Sequence, residues 1–323
     1  MDFSDGGWWI IDDTGFPKQG RHSVGVARQY CGMLGKQDNC QVAVSVSLAC
    51  AAPSIPVAWQ LYLPQEWADD PPRREKAGVP EALEFATKPQ IAPQQIEHLL
   101  DQGAPRHCVL SDAGYGVDTA FRERPDELGL PYVVGVTGSI TVWPPGRGPL
   151  PPKPLQRQGP HPRRLRRGGA NAPEHRPRTV KDVAFDIDPD DWQEVSWREG
   201  TNTALRSHFA RVRVRAAHRD EQRSELREPQ WLLIEWLAAQ MSGRANVAGV
   251  TKTLELFGRR PQPDLPASAP DNLPAPFHVY SMRRAIVGGF HPRGAEELHR
   301  YKLAFKLAND GRSGTGRRPT ESM

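Results

Sequence analysis

Cysteine is scarce in this 323-residue chain: Cys31, Cys40, Cys50 and Cys108 are all there is, and no two form a C-x-x-C pair. That spacing excludes a zinc-finger framework and a thioredoxin-like redox motif. Cys50 and Cys108 lie in strand-like runs and read as small core residues. Long apolar runs are missing too. No stretch approaches a membrane span, and the start, Met1-Asp2-Phe3-Ser4-Asp5, is acidic with no apolar segment of a secretion signal. The expectation is a soluble, cytoplasmic protein with no membrane partner. Acid is nearly absent from one region: between Arg147 and Arg178, nine Lys or Arg residues stand against the single acid Glu174. What the chain does have is length for about two domains and 38% apolar residues, enough for a core, with a modest net charge of +4.

The stretch around which the rest is organised is Gly7-Trp8-Trp9-Ile10-Ile11-Asp12-Asp13-Thr14-Gly15. A continuous apolar run ended by turn residues reads as a strand buried on both faces. Its two carboxylates then stand at the strand's mouth, on the rim of a sheet. Strand side chains alternate, so Asp12 and Asp13 point to opposite faces and only one of them can face a given metal or substrate. For an isolated Asp-Asp-Thr-Gly, a strand end with an Asx-type turn would be the plainer explanation.

A second segment of the same build adds weight. His107-Cys108-Val109-Leu110-Ser111-Asp112-Ala113-Gly114-Tyr115-Gly116 is again a short apolar strand that delivers an Asp into a Gly-rich turn. A helix is predicted before it, with Pro93 in its first turn, Ile96, Leu99 and Leu100 at helical spacing and Gly103 as its stop. Another follows over 117–128, and then the apolar strand 132–136. Two strands that each release an Asp at a sheet edge can hold Mg²⁺ or Mn²⁺ with positions open for phosphate oxygens and water.

Between these segments, 23–30 can pair back as a hairpin strand, 41–50 alternates Val42, Val44, Val46 and Leu48 against Gln41, Ser45 and Ser47, and 56–63 reads as a further strand. The Pro-rich, charged stretch 64–88 reads as a surface excursion. Strands first, then a helix, then the strand ending at Asp112: this order fits an α/β fold with a ribonuclease H-like mixed sheet.

Here the residues carry a family resemblance. Trp9-Ile10-Ile11-Asp12-Asp13-Thr14-Gly15-Phe16-Pro17-Lys18, then Gly25-Val26-Ala27-Arg28-Gln29-Tyr30-Cys31-Gly32 and Gln37-Asp38-Asn39-Cys40-Gln41, resemble the DDE transposases of bacterial insertion sequences. Leu110-Ser111-Asp112-Ala113-Gly114-Tyr115-Gly116 is similar to the segment carrying that family's second acidic residue, and the likeness runs from about Trp8 to Trp236. It implies metal-dependent DNA phosphodiester cleavage and strand transfer, with Asp13 and Asp112 as catalytic metal ligands and two Mg²⁺ or Mn²⁺ ions shared by three carboxylates. The implied partners are insertion-sequence ends and target DNA, with a homodimer as the common assembly of such enzymes.

Four regions are expected: a catalytic core over 1–141, a Pro/Arg-rich basic linker over 142–178, a β-rich insertion over 179–236 and a divergent, poorly ordered tail over 237–323. Ten prolines between 144 and 177 oppose regular structure in the linker, whose Arg163, Arg164, Arg166 and Arg167 can neutralise phosphates without reading bases. A solvated linker kept open by its charge is the plainer alternative. In the insertion, 179–185, 192–197, 209–215 and 231–236 read as strands, and Arg211 and Arg213 alternate with Val212 and Val214 to give one basic face.

After Trp236 the resemblance stops. The helix with an Arg-Trp-x-x-Glu pattern that would supply the third acid is absent, helical periodicity returns only over 301–307, and Glu296 and Glu297 are the nearest acids. The expectation is a frameshifted or rearranged end and, with only a few residues before the first strand, a partial transposase of impaired activity. A DNA-binding remnant without catalysis is the rival reading. Asp13-Thr14-Gly15 also matches an aspartic-protease signature, but bulky Phe16 and the helices around Asp112 do not suit that all-β lobe. An Asp-nucleophile phosphatase of the haloacid-dehalogenase type would want a helix where 23–30 reads as a strand.

Overall fold

Residue by residue, the first strand runs further than its apolar stretch. In a computed structural model of the chain, residues 7–49, 54–154, 162–199, 204–237 and 254–257 are described. Strands β1 (Trp8–Pro17), β2 (Ala27–Cys31), β3 (Lys36–Ala49) and β4 (Ser54–Leu61) come first. Helices α1 (Gln65–Ala68), α2 (Pro71–Lys76) and α3 (Lys88–Asp101) lead to β5 (Cys108–Ser111), then α4 (Ala113–Gly116), α5 (Thr119–Glu127) and β6 (Tyr132–Gly135). Next are β7 (Thr141–Trp143), β8 (Arg178–Thr179), α6 (Val180–Phe185), β9 (Gln193–Glu199), β10 (Ala204–Ala216), β11 (Gln230–Leu237) and β12 (Leu254–Phe257).

Among the described residues the strands form one twelve-stranded sheet in the order β2-β3-β1-β5-β6-β12-β11-β10-β7-β8, with β4 on β3 and β9 on β10. β1, β5 and β6 are mutually parallel, whereas β3 runs antiparallel to β1 and is itself flanked by antiparallel β2 and β4. This is the α/β, ribonuclease H-like mixed sheet the sequence pointed to. The β-rich stretch beyond residue 178 joins the same sheet, because β12 pairs with both β6 and β11.

One face of the central strands builds the core. Trp9, Ile11, Val44, Val46, Val109 and Val134 pack against Ile91, Ala92 and Ile96 of α3 and against Tyr115 and Phe121. The two-residue strand period places Asp13 on the face of Trp9 and Ile11, and Asp12 on the other. Helix α3 begins five residues before Pro93, the residue read as its starter. Thr87 closes a capping box with Gln90: its backbone N–H and its hydroxyl both donate to Gln90 Oε1, at 2.8 and 2.9 Å. Pro89 occupies the first turn, where a missing N–H costs nothing. Lys88 is thereby the first residue of the helix.

Two further segments depart from expectation. The stretch read as a strand over 179–185 is mostly helix α6. The Thr179 hydroxyl accepts the Asp182 N–H at 3.1 Å, and Val180, Val183 and Ala184 bury one helical stripe. The excursion over 64–88 is pinned to the body by Trp67, fully buried, whose indole N–H donates to the Val26 carbonyl at 2.8 Å. Cys108 is buried as expected, and Cys50 lies outside the described residues. No helix among the described residues is long and apolar enough to cross a membrane.

His107, just ahead of β5, is buried edge-on against Trp9, ring centroids 5.6 Å apart. Burial holds its pKa below the ordinary 6.5, outweighing a hydrogen bond with the Gly7 backbone. The unfolded chain therefore binds a proton that the folded chain resists, and this contribution to stability is present above pH 6.5 and lost as pH falls through the folded value. Denaturant midpoints at pH 7.5 and pH 5.5 are expected to differ, and to differ less in His107→Gln.

Candidate active site

The site forms where two parallel strands part. β1 and β5 pair in register from Trp8↔Cys108 to Ile11↔Ser111, and there the ladder ends. β1 continues, with Asp12↔Ser45 and Asp13↔Val44 still bonded to β3. Among the described residues no strand pairs with the β5-facing edge of β1 beyond Ile11. The chain leaving β5 turns at once into α4, with Asp112 as its N-cap: Asp112 Oδ1 accepts the Gly114 N–H at 2.8 Å. Asp-Asp-Thr-Gly thus sits inside a strand rather than in the turn that its composition suggested. Pairing with β3 overrides the local preference.

The three carboxylates differ in what they touch. Asp12 is buried; its Oδ1 accepts the Asp13 N–H at 2.8 Å, and its carbonyl accepts the Ser45 hydroxyl at 3.2 Å. Asp13 keeps a third of its side chain exposed and has a partner on each oxygen. The Tyr115 hydroxyl donates to Oδ1, and the Lys88 ammonium stands 2.5 Å from Oδ2. Tyr115 itself is buried against Phe121, ring centroids 5.6 Å apart. Its phenol is held far above the ordinary tyrosine range, first by burial, then by the charge and hydrogen bond of Asp13, then by the charges of Asp12 and Asp112. The phenol thus touches Asp13 and lies within the field of the other two acids.

Close backbone packing sets the position of Asp112 and Tyr115. A Cβ built on Gly116 would fall 1.9 Å from the Gly135 carbonyl oxygen, and one built on Gly135 would fall 2.9 Å from the Ala113 nitrogen. Only two glycines let α4 lie this close to β6. An all-oxygen donor set of two carboxylates, one already holding a cation in the form of Lys88, suits a hard divalent ion such as Mg²⁺ or Mn²⁺. Among the described residues no cluster of three or more His, Cys, Asp or Glu completes a metal site. The buried carboxylate of Glu235 does not serve: β11 lies three strand spacings from β5, about 14 Å. Glu296 and Glu297 lie outside the described residues, as does the helix read over 301–307.

The basic residues divide into two kinds. Arg163 and Arg164 are exposed. Arg166 and Arg167 are engaged by the fold: Arg166 Nε donates to the Pro151 carbonyl at 2.9 Å, while Arg167 reaches Asp220 Oδ1 at 2.7 Å and the Ala217 carbonyl at 2.6 Å. Asp220 is buried and takes the Trp143 indole N–H on its other oxygen at 2.8 Å. With buried Leu165 and the Leu150↔Arg166 bridge, these contacts fasten that stretch to the body. Arg211 and Arg213 lie over the Trp231 ring, at 5.4 and 5.0 Å from its centroid. Their strand, β10, is four spacings from β5, about 19 Å, so they do not line the Asp13 site. Lys88 and Tyr115 were not singled out from sequence. The signal for Lys88 was the Thr87-x-x-Gln90 capping box, and Tyr115 stood inside the quoted Asp112 motif.

Residues 3–204, well over half the chain, match the profile of the DDE superfamily endonucleases. A probable transposase for insertion sequence element IS701 from Microchaete diplosiphon is 38% identical over 134 residues, covering 41% of this chain and 32% of that protein. The chain thus spans about a third of the length of this curated relative. The NurA nuclease from Sulfolobus solfataricus aligns over 96% of this chain and 86% of its own, but at 7% identity and a TM-score of 0.28 the likeness carries no argument. The profile match covers both strands of the fork and everything between them, and the chain belongs to the DDE superfamily endonuclease family.

Proposed function

We propose that this chain is a transposase-like protein whose chemistry is divalent-metal-dependent cleavage and strand transfer at DNA phosphodiesters. The observation that carries the reading is the fork between β1 and β5, where the paired ladder ends at Ile11↔Ser111 and the next residues of the two adjacent parallel strands lead directly to Asp13 and Asp112. Asp13 and Asp112 would hold Mg²⁺ or Mn²⁺, two ions in the complete site. The bound metal supplies charge neutralisation at the phosphate and a nucleophilic water or 3′-hydroxyl. The chain's own part is positioning. β3 fixes the backbone of Asp13, Tyr115 orients its carboxylate, and the Gly114 N–H orients that of Asp112. Arg163 and Arg164 are free to meet backbone phosphates, and Arg211 and Arg213 add a second basic surface on β10. The cytoplasm, DNA ends and target as partners, and a homodimeric assembly follow from the same reading.

A supercoiled plasmid carrying candidate insertion-sequence ends is expected to be nicked in Mn²⁺ and, more slowly, in Mg²⁺, with all cleavage lost in EDTA. The absence of a three-carboxylate cluster among the described residues favours one second reading, a DNA-binding remnant. Salt-sensitive DNA binding without nicking in either metal would establish the remnant and reject the enzyme.

A further inference from the structure

Lys88 is placed against the electrostatics of its own helix. It is the first residue of α3, where the unsatisfied N–H groups make the helix end positive and a cation is disfavoured. Most residues here are acidic or neutral in stable helices, yet the side chain does not turn away to water. Its ammonium reaches across to β1 and lies 2.5 Å from Asp13 Oδ2, with three-quarters of the side chain covered. Its other neighbour is the Tyr62 ring, whose centroid is 5.5 Å from the nitrogen. The capping box over Thr87–Gln90 and the proline beside it fix the start of the helix, and so fix where this ammonium can go.

The second oxygen of Asp13 is held by Tyr115, whose hydroxyl donates to it. Asp13 therefore has one neutral, orienting partner and one charged partner. The charged one occupies the space a divalent cation needs, since Mg²⁺ sits about 2.0–2.1 Å from its oxygens and repels any cation that shares one of them. We propose that Lys88 is the resident counter-ion of Asp13: it neutralises the carboxylate while the site is empty of metal and yields that oxygen when a divalent cation enters, so that metal entry and release of Lys88 are one event. On release, the ammonium keeps the Tyr62 ring as its neighbour. The inference rests on the proposed metal-binding role of Asp13. It adds that metal affinity is set by competition with a residue of the chain itself.

The test uses the full chain without DNA. Mn²⁺ binding is measured by calorimetry or by the spectrum of the free ion. Lys88→Met is expected to bind Mn²⁺ roughly three- to fivefold more tightly than wild type, the scale of a partly exposed ion pair that no longer competes. Tyr115→Phe, which removes the orienting partner instead, is expected to weaken Mn²⁺ binding by roughly tenfold. A residue with a merely structural role would weaken binding when removed, as Tyr115 does, so the opposite signs are the diagnostic. Lys88→Gln, one atom shorter and uncharged but still a polar donor, should move in the same direction as Lys88→Met and covers the case in which the latter folds poorly. In wild type, acylation of Lys88 by an amine-reactive ester, read by mass spectrometry, is expected to rise on adding Mn²⁺, and to show no such rise in Asp13→Asn. Unchanged or weaker Mn²⁺ binding in both Lys88 variants, with binding still dependent on Asp13, overturns the inference alone. Mn²⁺ binding indifferent to Asp13→Asn overturns the metal reading of the site, and the inference with it.

Discussion

Asp13→Asn is expected to leave a folded protein whose metal-dependent DNA cleavage has fallen by roughly a thousandfold or more. The change is isosteric, β1 stays paired with β3 through Asp13↔Val44, and the amide oxygen can still accept the Tyr115 hydroxyl. What disappears is the negative charge. A metal bound at a phosphoryl oxygen contributes several kcal/mol to the transition state, and each 1.36 kcal/mol is tenfold in rate, so on the proposed role of Asp13 its loss would remove about three powers of ten. Asp112→Asn should behave alike, and the double variant should lose little more than either single one, because two ligands of one proposed metal site would act as a unit. Asp12→Asn separates the two readings of the Asp-Asp pair. Asp12 is buried, on the other face of β1, and caps the next backbone N–H. Its replacement should lower stability more than it lowers cleavage. A plasmid-nicking time course in Mn²⁺, with circular dichroism on each variant, checks this series; full activity in Asp13→Asn would remove the basis of the proposed function.

Gly116→Ala is expected to be the most damaging small substitution in the described residues. The added methyl would sit 1.9 Å from the Gly135 carbonyl oxygen and 3.0 Å from Val134 Cβ, so backbone rather than a pliable side chain must move. Overpacking of this kind costs about 1–3 kcal/mol and sometimes more, and a rigid strand behind the clash argues for the upper end. For a protein of this size the melting temperature should fall by roughly 4–5 °C. The functional loss should exceed the thermal one. Moving α4 away from β6 also moves Asp112, its N-cap, and Tyr115, its third residue, away from Asp13. Melting curves and Mn²⁺ titration on the same sample distinguish the two effects. A variant that melts normally and binds Mn²⁺ normally would show that the glycine contact is not what positions Asp112.

Much of this arrangement was legible in the residues, because its signals are local. Alternation in 41–50 marked β3 and the apolar run before Asp112 marked β5, whereas the stretch that reads as a Gly-rich turn after it is the short helix α4. What the sequence did not display depends on partners distant in the chain. Asp-Asp-Thr-Gly reads as a break, yet it stays extended because Val42–Ser45 are opposite it. Arg167 reads as part of a free basic arm until Asp220, 53 positions on, claims it. Lys88 looked like the end of a surface loop. Only the packing of α3 against β3 and β4 brings it to Asp13, 75 positions earlier. The start of α3 is a different case, since Thr87-x-x-Gln90 was readable and Pro93 drew attention away from it.

The fork between β1 and β5 gives the two acids unequal mechanical support. Asp13 rides on a ten-residue strand laced to β3 along its whole length, whereas Asp112 rides on the first turn of a four-residue helix that has no strand ladder of its own and is seated against β6 and α5. Load applied between them cannot be shared equally. Any ligand that draws the two carboxylates together will find one side stiff and the other compliant, so the adjustment, and the ordering entropy that goes with it, is concentrated in the five residues from Asp112 to Gly116.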